Sequence, residues 1–100
     1  MRTDIDEIDV EFNFKAKETF HLFYTKFNAA AKELDRKTNQ NIFEQTVAKY
    51  RFALQIELER IAIGMIENSG QMQDMNVLKR NLTTSINDYL REFMIKSQGV

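Results

Sequence analysis

Apolar side chains recur three and four residues apart along three long stretches of this chain, and no proline interrupts any of them. Proline inside a helix removes a hydrogen bond and clashes with the preceding turn, so its absence leaves long helices as the default. Ala16, Phe20, Phe23, Phe27, Ala30 and Leu34 draw the first stripe and predict a helix over 15–37. Phe43, Val47, Tyr50, Leu54, Leu58, Ile61 and Met65 predict a second over 42–67. Met75, Leu78, Leu82, Ile86, Tyr89 and Phe93 predict a third over 72–96. Asn41 and Glu44 suit a capping arrangement at the start of the second, and Gly70 suits its end.

Ahead of these stripes the pattern changes. Ile8-Asp-Val10-Glu-Phe12-Asn-Phe14-Lys15 alternates apolar and polar side chains, the period of a half-buried strand. The sequence therefore predicts an arm over 1–14 with a short strand at 8–14, followed by three long helices. The fold class is mainly α, one domain over 1–100, arranged as a bundle or a helical-hairpin dimer. No second alternating segment follows, so a strand there needs a pairing partner from another molecule.

Composition supports a folded domain. Leu, Ile, Val and Phe supply 28 residues, and the chain has no Cys. That apolar content excludes a disordered tail, and the lack of Cys excludes a disulfide or zinc–thiolate scaffold. Fourteen Lys and Arg balance 15 Asp and Glu, which argues against a general polyanion binder. The balance is uneven along the chain: residues 1–14 carry a net −4 and residues 15–60 a net +3. Met1 is followed by Arg2, Thr3 and Asp4 rather than an apolar run, which predicts a cytoplasmic setting. The longest apolar or glycine run, Ile61 to Ile66, is far too short to cross a bilayer.

Little points to catalysis. The three serines are Ser69, Ser85 and Ser97, and His21 is the single histidine. A relay needs nucleophile, base and acid within mutual hydrogen-bond reach, so the chain reads as a non-enzyme without a cofactor. Glu18-x-x-His21 has the spacing of a bundle metal pair, but Glu18 points away from the Phe20 stripe, and bundle ligands project inward. Gly64, Gly70 and Gly99 are isolated and form no phosphate loop.

Ile42, Phe52, Ile56, Ile63 and Ile66 lie off the stripe of the second helix, which makes it apolar on more than one side. The reading is a small protein-binding protein that works as an oligomer or with a protein partner. Phe12, Phe14, Phe52, Ile56, Ile63 and Ile66 are its interface candidates; Met65, Met72, Met75 and Met94, at or near the stripes, suit the core first and an adaptable partner groove second.

A lone strand followed by two helices resembles the ribbon–helix–helix family of DNA-binding dimers, over residues 8–54. The resemblance implies antiparallel strands from two chains entering the major groove. It turns Val10, Phe12 and Phe14 toward the dimer core and offers Glu11, Asn13 and Lys15 to base edges. It also implies a phosphate held by Thr38, Asn39 and Gln40 at the start of the second helix, with Lys17, Arg36 and Lys37 adding contacts. The alternative function is therefore a DNA-binding regulator or antitoxin, with the third helix as an addition.

Overall fold

A computed structural model describes residues 5–34, 40–68 and 75–98 of the chain. They form three helices: α1 (Ile5–Lys32), α2 (Gln40–Asn68) and α3 (Met75–Gln98). The fold is all-α. Among the described residues there is no strand, and the segment 8–14 lies inside α1.

The expected strand is a helix for two physical reasons. Ile8 and Phe12 stand four residues apart and extend the stripe of Ala16 and Phe20 by one more turn on each step. A helix also satisfies its backbone within itself, so no second strand is needed. The alternation arises because two core positions, Ile8 and Phe12, interleave with Val10 and Phe14, which are left exposed. Asn13 Nδ2 donates to the Asp9 carbonyl at 2.8 Å, and Lys15 Nζ meets Glu11 Oε1 at 3.4 Å, both one helical turn apart. The ribbon–helix–helix resemblance falls with the strand. α1 closes with tightened turns, Glu33 N–H to the Ala30 carbonyl at 3.3 Å and Leu34 N–H to Ala31 at 3.0 Å. α2 opens at Gln40, so Asn41 lies within the helix rather than capping it, and Glu44 accepts from Gln40 Nε2 at 3.3 Å.

Ring and cleft contacts set the directions. Phe27 meets Phe43, while Ile8 shares a cleft with Ile61 and Met65, so α1 and α2 are antiparallel. Asp9 pairs with Asn81 and Tyr24 with Lys96, so α1 and α3 run parallel. The core runs along Ile8, Phe12, Ala16, Phe20, Phe27 and Ala31 of α1. It takes Phe43, Val47, Leu54, Leu58 and Ala62 from α2 and Leu78, Leu82, Ile86, Leu90 and Phe93 from α3. Phe27 is the hub: its ring stands edge-on to Phe43, Tyr50 and Phe93 with centroids at 5.9, 6.0 and 5.6 Å, tying all three helices.

Polar side chains pin α1 to α3. Asn81 Nδ2 donates to Asp9 Oδ2 at 3.3 Å, Tyr89 Oη to Asn13 Oδ1 at 3.0 Å, and Tyr24 Oη to the Lys96 carbonyl at 3.3 Å. Burial, then the nearby Glu92 carboxylate, holds the Tyr89 hydroxyl above its ordinary pKa. The principal extents are 56 × 19 × 18 Å and the radius of gyration 16.0 Å, against about 13 Å for a compact chain this long. Three helices side by side make a rod, so each of them keeps an outer face.

Candidate protein-binding face

α2 carries apolar side chains on two opposite sides. At about 100° per residue, Phe43, Val47, Leu54 and Leu58 point into the bundle, and Phe52, Ile56 and Ile63 point nearly the other way. Phe52 is 62% exposed, Ile56 44% and Ile63 55%. Exposed Ile42 stands near the start of the helix, about a sixth of a turn off that line. Scattered apolar residues on a surface are ordinary, but three on one line of one helix form a patch. Ile66, half-buried, packs against the core at the edge of this face. Seven-residue spacing also puts Lys49 and Glu59 on the outer face, both exposed. Glu59 Oε1 accepts from Gln55 Nε2 at 2.9 Å, and Lys49 Nζ lies 5.9 Å from the Tyr50 ring centroid.

The two phenylalanines proposed from the N-terminal segment separate. Phe12 is wholly buried in the chain's own core and is not available to a partner. Phe14 is exposed beside Val10, Glu7 and Glu11, around an open depression of about 480 Å³ on the outside of α1.

Glu11, Asn13 and Lys15, offered to DNA on a strand, lie on α1 instead. Glu11 and Lys15 pair with each other along α1, and Asn13 is engaged by Tyr89. Lys17 is exposed on the same helix, and Gln40 is the first residue of α2. Thr38, Asn39, Arg36 and Lys37 lie outside the described residues, as do Ser69, Gly70 and Met72.

Glu18 and His21 are exposed on α1, and among the described residues no three His, Asp or Glu side chains group to hold a metal ion. Ser97 is buried, with its hydroxyl donating to the Met94 carbonyl at 2.8 Å. Met65, Met75 and Met94 pack partly buried against the core. No described helix is long and apolar enough to cross a membrane.

A second concavity, of about 380 Å³, opens between α1 and α2. Ile8, Ile61 and Met65 floor it, and Glu11, Lys15 and Arg60 stand at its mouth. Gly64 leaves it open: a β-carbon there would meet no atom within 4 Å. The sequence marks Gly64 only as a glycine, because its space depends on how closely α1 approaches. Lys49 and Glu59 are missed for a different reason. Their place beside the apolar line shows once the outer face of α2 is traced and not only its core stripe.

Compared with protein-family models, with curated proteins and with solved structures, the chain finds no match in any of the three.

Proposed function

We propose that this chain is a non-enzymatic protein-binding protein, an adaptor, chaperone or regulatory subunit, acting in a cytoplasmic setting through an oligomeric helical interface. The observation that carries the reading is the outer line of α2, where Phe52, Ile56 and Ile63 stand exposed opposite the core. The line is straight and follows one helix, which fits another helix laid alongside it. Burying apolar surface supplies about 25 cal/mol per Å², which makes this line the part of α2 with most to gain from a partner.

The test is the double variant Phe52→Glu/Ile56→Glu. Neither side chain belongs to the core, so helicity and cooperative melting should match the parent chain. In an extract of its native cells, the parent should elute well ahead of the variant, and the variant where an isolated single chain of this rod elutes. If both elute as single chains, the chain is not a binding protein of this kind. If the variant unfolds, the line belongs to the fold rather than to a partner.

A further inference from the structure

Resting on that reading, we propose that the helix laid on α2 is α2 of a second copy of this chain, antiparallel about a two-fold axis at Leu54. Counted in sevens, the outer face has two columns: Ile42, Lys49, Ile56 and Ile63 in one, and Gln45, Phe52, Glu59 and Ile66 in the other. A parallel pair sets each residue against itself. Lys49 would then meet Lys49 and Glu59 would meet Glu59, two like-charge layers in a short seam. An antiparallel pair sets one column against the other, and its axis can be stepped along the helix.

Charge and apolarity select one step. With the axis at Leu54, Phe52 meets Ile56 and Lys49 meets Glu59, each twice by symmetry. Gln45 then meets Ile63, and Ile42 meets Ile66. Moving the axis by half a heptad sets Glu59 against Ile56 in one direction and Lys49 against Phe52 in the other. Each such step buries a charge on an apolar side chain. The selected axis also falls at the middle of α2 (Gln40–Asn68), so the two helices overlap over their full length, about 44 Å. The contact is isologous and closes on itself, which limits the assembly to two copies. α1 and α3 lie on the opposite side of α2 from Phe52, Ile56 and Ile63.

Sedimentation equilibrium of the purified full-length chain across the micromolar range tests the proposal. The parent chain should pass from 11.8 kDa to twice that mass as concentration rises. Lys49→Glu and Glu59→Lys should each weaken dimerisation by about tenfold, since each turns two opposite-charge layers into like-charge ones. The combined Lys49→Glu/Glu59→Lys swap should restore it. Circular dichroism controls for folding, and both positions are exposed. A swap no tighter than its single variants overturns the register. A parent chain that stays at 11.8 kDa throughout overturns self-pairing. The extract elution described above would then show whether binding to a different protein survives.

Discussion

Phe12 and Phe14 would point to the same side of a strand, and they point to different sides of α1. Truncating each to alanine therefore separates the two structures. Phe12 has no exposed surface, so Phe12→Ala removes a ring from the closed core and leaves a cavity. Such changes cost about 3–5 kcal/mol. A domain of this length holds about 5–15 kcal/mol in total, so the loss is a large share. At about 4–8 °C per kcal/mol, the melting temperature should fall by at least about 12 °C. Phe14 is 65% exposed, so about a third of its surface is buried. Taking about 200 Å² for the side chain, that is about 70 Å², or under 2 kcal/mol at 25 cal/mol per Å². Alanine keeps the β-carbon and returns about 0.5 kcal/mol of helix propensity, leaving a net cost of about 1 kcal/mol or less. Thermal and urea unfolding, followed by far-ultraviolet circular dichroism at low micromolar protein, reads both. Equal losses for the two variants would refute the helical placement of this segment.

Gly64→Ala should stabilise the chain by about 0.5–1 kcal/mol, because alanine favours helix and the added methyl meets open space; urea unfolding gives the value. Stability should be level below pH 10 as far as Tyr89 is concerned. Above it the unfolded phenol ionises first while the folded one resists, so stability falls as pH rises toward the folded pKa. Tyr89→Phe should flatten that alkaline limb at a cost of about 1 kcal/mol for the lost hydrogen bond to Asn13, measured by unfolding at stepped pH. Glu11→Gln should change stability by under 1 kcal/mol in the same assay, since the Glu11–Lys15 pair is largely solvated.

The three stripes were legible in the sequence. Phe20, Phe27, Leu54, Leu58, Leu82 and Phe93 stand where a period near 3.6 puts them, in one shared core. The second apolar side of α2 was legible too, since Phe52, Ile56 and Ile63 fall off its first stripe. The N-terminal segment was not. Ile8 to Lys15 satisfies a period of two over eight positions, and a helix face fits the same residues when Ile8 and Phe12 are joined to Ala16 and Phe20. A short window cannot choose between the periods; the continuation into α1 decides it, by adding buried apolar surface and internal hydrogen bonds at no demand on a second chain. The cross-helix bonds of Asp9 with Asn81 and Asn13 with Tyr89 depend on the relative register of α1 and α3, which no local pattern carries.

Because the chain has no cysteine, a single spin label placed at exposed Asn41 reports the pairing of α2 directly. With the axis at Leu54, Asn41 of one copy lies level with residue 67 of the other, so two labels sit about 40 Å apart along paired helices. Pulsed dipolar spectroscopy at the dimer concentration should return that distance. A separation under about 20 Å would mean parallel helices, and no dipolar signal would mean that α2 does not pair with itself.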